Sequence, residues 1–310
     1  MFNPSRTLID AFVTRSLQRY REAFPGRETV QEETLESAVR TALEFLLNCD
    51  CPYHDLEHTI LVTDVGQTIL HGRIISQGDV SPHDWLHAVI AMLFHDIGYL
   101  RGLLRQDGSD SFLIDEAGGR FTPGVGATDA SLMPYHVVRG RMFIQERYSG
   151  DSLIDVATVI GHIEMTRFPV PADDHYQKVD TLSALVRAAD LIGQMGDPLY
   201  PKKLSRLYSE FLETGEAQRL GYHNSAELRE GFPEFFYEQV YPYITEGLRF
   251  LRKTQEGQQW IANLFHHVYE LQAVECPETR RPAGESAAVH RHPTVTRIGE
   301  SSQGGHRHAC

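Results

Sequence analysis

Apolar residues recur at intervals of three and four along most of this chain, which is the spacing of one face of an α-helix. Residues 5–22 and 29–48 carry that rhythm. In the second of these, Leu35, Val39, Ala42, Leu43, Leu46 and Leu47 mark one face behind Thr29, Glu32 and Glu33. Residues 55–76 continue the pattern. The stretch "SPHDWLHAVIAMLFHDIGYL" begins with Ser81 as N-cap, Pro82 at the first helical position and Asp84 in the first turn, a set of helix-start signals. From there to His95 it is apolar almost throughout, and this predicts a central buried helix that stops near Gly98. Further helices are expected over about 127–148, 151–165, 178–193, 200–216, 233–254 and 256–273. Few strands and no internal repeat are apparent, so the expected class is all-α.

Two segments break the rhythm. Residues 101–127 are rich in Gly and Asp and predict a long loop, which is often functional inside a compact domain. A lid over a site and a plain surface excursion are equally compatible with it. From Cys276 on, Pro, Gly, Ser, Arg and His dominate and periodicity disappears, so 276–310 is expected to be a disordered tail. The histidines there (His290, His292, His306, His308) are read as part of that tail. Residues 1–275 are left as one domain, and 41% hydrophobic composition is enough to give it a core.

Charge narrows the function. The chain carries a net −13, and the tail holds five Arg against three Glu, so the body is about −15. Such a body argues against nucleic-acid and anionic-membrane partners. An anionic substrate would need local cations such as metal ions. Cys49 and Cys51 form a C-x-C pair distant from Cys276 and Cys310, which is not a common zinc half-site. Reduced thiols in a cytoplasmic protein are the expectation. The opening "MFNPSRTLIDAF" has no apolar run suggesting a signal peptide or membrane span.

The candidate chemistry lies in polar residues that interrupt apolar helices: His58, His95 with Asp96 ("AMLFHDIGY"), His136 ("MPYHVVRG"), His162 ("VIGHIEM") and Asp190 ("LVRAADLIG"). A single buried His is more often a hydrogen-bonded core residue than a ligand. Six such groups on five helices, if they converge, can satisfy one another through a shared cation, because burying them unpartnered costs several kcal/mol each. Asp96 can bridge two metals with its two oxygens. The donor set suits Fe, Mn, Zn or Ni, with Mg at an oxygen-rich position. Two such ions would hold a hydroxide nucleophile and neutralise phosphate oxygens.

The order H…HD…H…H…D resembles the HD-domain metal-dependent phosphohydrolase superfamily, whose fold is an all-helical bundle. The resemblance covers residues 50–195 by motif and extends to about 255. Within it, "CPYHDLEHTILV" (51–62) resembles the Y-H-N-x-x-H motif of class I cyclic nucleotide phosphodiesterases, with Asp55 in place of Asn. That resemblance implies His54 as the general acid for the leaving oxygen and His58 as a metal ligand, with Asp55 or Glu57 available to orient His54. "RAADLIGQMGDPLYPKKLSRLYSEFLETGE" and "LREGFPEFFYEQVYPYI" resemble two later segments of the same family. They imply Phe232 as a base-clamping aromatic and place Arg229 where the family has a purine-reading glutamine. Arg accepts no hydrogen bond, so it would grip a phosphate or carboxylate instead. "HDIGYLRG" departs from the phosphodiesterase pattern, and with His136 and His162 it is closer to the HD-GYP cyclic dinucleotide phosphodiesterases.

The resulting expectation is a dinuclear metal-dependent phosphodiesterase acting on a small nucleotide-type phosphoester. Its metal ligands would be His58, His95, Asp96, His136, His162 and Asp190. A mixed-valent diiron oxygenase of the HD superfamily is the alternative, and a binding module with a vestigial site is a third. Lys202, Lys203, Arg139 and Arg141 are read as exposed charges, and His87 as a packed neighbour or a support for a ligand. The sequence leaves the oligomeric state open.

Overall fold

The computed structural model describes residues 3–26 and 29–273. The expected tail, 276–310, lies outside the described residues. The fold is all-α: α1 Pro4–Ala23, α2 Thr29–Leu46, α3 Leu56–Gln77, α4 Pro82–Phe94, α5 His136–Tyr148, α6 Val156–Glu164, α7 Leu182–Met195, α8 Tyr200–Thr214, α9 Glu216–Leu220, α10 Ser225–Glu230, α11 Phe232–Phe235, α12 Tyr241–Leu251 and α13 Gln255–Ala273. Two 3-10 helices, Ile97–Tyr99 and Asp129–Tyr135, lead from α4 to α5. Among the described residues the only sheet is a hairpin in which Phe112–Leu113 (β1) pairs antiparallel with Arg120–Phe121 (β2).

α4 is the central helix the sequence predicts. Every residue from Trp85 to Phe94 is buried, as a helix that is apolar all round requires. Its start uses the expected device: Ser81 Oγ accepts from the Asp84 N–H at 3.1 Å, and the Asp84 carboxylate accepts from the Ser81 N–H at 2.9 Å. α3 packs along α7, and α4 and α12 lie against both. Gly193 on α7 makes the α3–α7 approach possible, because a Cβ there would sit 2.7 Å from the Cα of Val62. That contact lies one helical turn from His58 on α3 and from Asp190 on α7.

Four expected helices differ from the sequence reading, each for a local reason. Pro134 falls within the expected helix 127–148, and the chain runs as a 3-10 helix to Tyr135 before α5 begins. The helices expected to start at 151 and 178 start at 156 and 182, behind the caps Asp155 and Thr181. The helix expected over 233–254 is interrupted by a π-helical turn, Phe236–Val240. Pro242 in the first turn of α12 has no N–H to close the ladder across that point.

Residues 101–127 form the expected loop, tied down at its base. Asp129 accepts from the Arg101 backbone and from Arg101 Nε (3.1 and 2.7 Å), and Arg101 also reaches Asp50 at 2.6 Å. Fully buried Arg139 holds the carbonyls of Gly98 and Leu100 and pairs with Asp107 at 3.0 Å. Arg139 is therefore a bolt inside the protein and not the exposed charge expected. Among the described residues, no hydrogen bond or ion pair joins this loop to His54, His58, His95, Asp96, His136 or Asp190.

Candidate metal centre

Four of the six expected ligands meet at one point. His58 stands in the first turn of α3, where Asp55 caps the helix by accepting from the N–H groups of Glu57 and His58 (2.9 and 3.1 Å). His95 ends α4, Asp96 follows it, and Asp190 comes from the middle of α7. His58 Nε2 lies 3.4 Å from His95 Nε2, 3.2 Å from Asp96 Oδ2 and 3.5 Å from Asp190 Oδ1. His95 Nε2 lies 3.1 Å from Asp96 Oδ2 and 3.4 Å from Asp190 Oδ1. His58, His95 and Asp190 form a group able to hold a metal ion.

The chemistry of these atoms fits a cation. His95 Nδ1 faces the Met92 carbonyl at 2.8 Å. A carbonyl only accepts, so Nδ1 carries a proton and Nε2 is the nitrogen turned to the cluster. Asp96 Oδ2 is buried and accepts no well-formed hydrogen bond, although both ring nitrogens are near it. Two carboxylates and two imidazole nitrogens gathered this closely call for positive charge: Asp96 and Asp190 raise both imidazoles, and a cation bound in their place would supply the same charge. Donors bonded to one ion at about 2.1 Å and at tetrahedral angles stand about 3.4 Å apart, close to the spacing of His58, His95 and Asp190. Burial by itself would raise the Asp96 and Asp190 carboxyls, but the His95 and His58 rings outweigh it and hold both below the ordinary carboxylate range.

His136 joins the rim of this cluster. It opens α5, its Nδ1 faces the Met133 carbonyl at 2.6 Å, and its Nε2 lies 3.7 Å from Asp96 Oδ1, the oxygen turned away from His58. A Cβ at Gly98 would collide with the His136 carbonyl, so the glycine of "HDIG" lets α5 come this near.

His162 is not brought to the cluster. Its Nδ1 bonds Ser183 Oγ at 2.8 Å, and Ser183 precedes Asp190 by seven residues on α7, about 10 Å along the helix axis. The charges that reach His162 are those of His87 and Asp84; burial and His87 push its pKa down to about 4. A second metal position has only His136 and Asp96 Oδ1 among the described residues. Of the six-ligand dinuclear set expected from the sequence, the structure thus gathers the three-residue group His58, His95 and Asp190, with Asp96 against its two imidazoles and His136 at the rim.

His54 is near the cluster, with its ring centroid 5.4 Å from that of His58. Its partner is neither Asp55, which caps α3, nor Glu57, which pairs with Lys203 at 2.8 Å. The partner is Glu210 on α8, whose carboxylate is wholly buried. It receives the N–H groups of Tyr53 and His54 (2.7 and 3.1 Å), and His54 Nδ1 at 2.5 Å. Burial opposes charge on His54, yet Glu210 overrides it and raises the imidazole to about 9. The Tyr99 ring is stacked between His54 and His136, with centroids 4.9 and 4.6 Å away. Sequence reasoning missed Glu210 and Tyr99. A signal for Glu210 exists: it follows Lys203 by one heptad, two helical turns, on the face of α8 that also buries Leu204 and Leu207.

The two expected substrate residues are elsewhere. Phe232 is 2% exposed and packs against Tyr200 and Phe236, so it has no free face for a base. Arg229 is exposed and donates to the Pro201 carbonyl at 2.8 Å. Lys203, expected at the surface, is buried between Asp197 (2.6 Å) and Glu57. His87 Nε2 accepts the Asp155 N–H at 3.0 Å and so anchors the start of α6.

A family model described as Npun_R2479-like matches residues 2–274. No curated protein matches the chain. Among the described residues no helix is long and apolar enough to cross a membrane.

Proposed function

The chain belongs to the Npun_R2479-like family, and from its His/Asp cluster we propose that it is a metal-dependent phosphohydrolase, a phosphodiesterase acting on a nucleotide-type phosphoester. The observation that carries this reading is the convergence of His58, His95, Asp96 and Asp190 on one point. The order of these residues resembles the HD superfamily, and their geometry suits one divalent ion of the Mn, Fe, Zn, Ni or Mg group, with His136 and Asp96 Oδ1 as the beginning of a second position. Such an ion would supply Lewis acidity, drawing charge from phosphate oxygens and acidifying water at neutral pH.

The protein's own groups provide orientation and the proton. The open side of the cluster is set by side-chain exposure: His54 13%, His136 19% and Asp190 17%, against 4% for His58 and 6% for Asp96. Substrate would approach over that side. His54 Nδ1 is taken by Glu210, and no described residue bonds its Nε2. A ring raised to about 9 carries its proton at neutral pH and can give it from Nε2 to a leaving alkoxide. Arg141, paired with Glu164 at 2.9 Å, is not needed for these steps.

The test is anaerobic hydrolysis of bis(p-nitrophenyl) phosphate by Mn²⁺-loaded protein. Turnover that Asp96→Ala abolishes is expected. His54→Ala should keep its metal and lose about 10²–10⁴-fold in rate; loss of metal in that variant would remove His54 from the acid role. O₂ consumption by iron-loaded protein that hydrolyses nothing would favour the oxygenase alternative.

A further inference from the structure

Two thiols lie together just before His54. Cys49 and Cys51 flank Asp50 in the turn between α2 and α3, and both are unpaired. Cys51 is 5% exposed and packs with Tyr99 and Ala130, while half-buried Cys49 and Met133 close over it. Cys49 Sγ donates to the His54 carbonyl at 3.4 Å. Contact with Cys49, ahead of burial and the nearby charges of Glu210 and Asp129, pushes the Cys51 thiol well above its ordinary value. A bond from Cys49 to another sulfur removes the largest of these causes.

We propose that Cys49 and Cys51 are a reversible dithiol–disulfide pair that takes a small-molecule disulfide as oxidant and shifts the His54 backbone when it closes. Cys49 is the entry point, being the more exposed of the two. Its thiolate attacks one sulfur of the small disulfide and releases the first small thiolate. The Cys51 thiolate then attacks the Cys49 sulfur, forms the Cys49–Cys51 bond and releases the second. Two electrons pass from the protein thiols to the small disulfide, and both protons end on the two released thiols.

Closure acts on His54 through the chain. A disulfide draws the sulfurs to about 2.05 Å and removes the S–H that binds the His54 carbonyl. The turn cannot give way at Asp50, which is held by Asp129 on both its N–H (3.1 Å) and its Oδ1 (2.5 Å). Displacement therefore passes to residues 51–54, whose N–H groups at Tyr53 and His54 are those Glu210 receives. None of this depends on the reaction proposed above.

The experiment uses the full chain with Cys276→Ser and Cys310→Ser, incubated folded with oxidised glutathione. Expected are an intact mass lower by two hydrogen atoms, no alkylatable thiol, and recovery with dithiothreitol. Amide hydrogen exchange at Tyr53 and His54 should rise at least tenfold while that of α7 is unchanged. If the serine variant does not fold, peptide mapping of the oxidised wild-type chain reads the same linkage. A glutathione adduct left on Cys49 with Cys51 still alkylatable would overturn the pair, as would two intact thiols. Unchanged exchange in a fully oxidised sample would overturn the coupling to His54.

Discussion

Glu210 shows how much one buried carboxylate can organise. It receives two backbone N–H groups and one imidazole, and so fixes both the position and the charge of His54. Glu210→Gln keeps the shape and removes the charge, so the His54 pKa should fall from about 9 toward its ordinary 6.5. The basic limb of the hydrolysis pH profile should then move to lower pH. The same change has a sign in stability. With a folded pKa of about 9 above an unfolded 6.5, the folded state binds more protons between those values. This stabilisation is complete below pH 6.5 and lost as pH rises through 9. Thermal melts at pH 6 and pH 10 should differ less in Glu210→Gln, which should cost about 2 kcal/mol at the lower pH. Equal pH sensitivity in both proteins would show that Glu210 does not set the charge of His54.

Between elements, the closeness of α3 and α7 decides whether His58 and Asp190 can share a ligand. Gly193→Ala places a methyl 2.7 Å from the Cα of Val62, and backbone cannot step aside as a side chain does. The helices must part, at about 1–3 kcal/mol. Metal affinity, measured by calorimetric titration, should drop at least tenfold although every ligand is present. Unchanged affinity in a folded variant would mean the cluster tolerates a wider α3–α7 gap. His162 belongs to another contact, α6 on α7 through Ser183. His162→Gln should therefore leave metal content unchanged. Its folded pKa of about 4 lies below 6.5, so the unfolded chain binds the extra proton and stability is lost as pH falls from 6.5 to 4. The variant should show a weaker loss of stability between melts at pH 7 and pH 4; loss of metal instead would return His162 to the ligand set.

For the molecule as a whole, the cluster is a charge problem that a bound ion solves. The body is acidic, and two of its carboxylates converge among helices α3, α4 and α7 at the centre of the fold. A ligand present at a hundred times its Kd adds about 2.7 kcal/mol to folding. Chelation should thus lower the melting temperature by several degrees, and elemental analysis of the loaded chain should return one tightly held ion. A chain with no measurable metal and no response to chelator would leave the cluster without its proposed role.

The helical class was legible in the sequence because amphipathic periodicity is local: Leu35 through Leu47 and Trp85 through Phe94 disclose their buried faces without reference to the rest of the chain. The start of α4 was legible for the same reason, since Ser81, Pro82 and Asp84 act within one turn. Polar interruptions of apolar helices singled out His58, His95, Asp96 and Asp190. Periodicity assigns a residue to a face, though, and not to a height along its neighbour. At 1.5 Å per residue, a correct face can still be about 10 Å from the site, and that separates Ser183, the partner of His162, from Asp190. Tertiary structure alone decided that His54 would meet Glu210, 156 residues away, that Lys203 and Arg139 would be buried against partners, and that Phe232 would fill the core. Each of these depends on which surfaces the packed helices bring together, and no window of sequence contains that information.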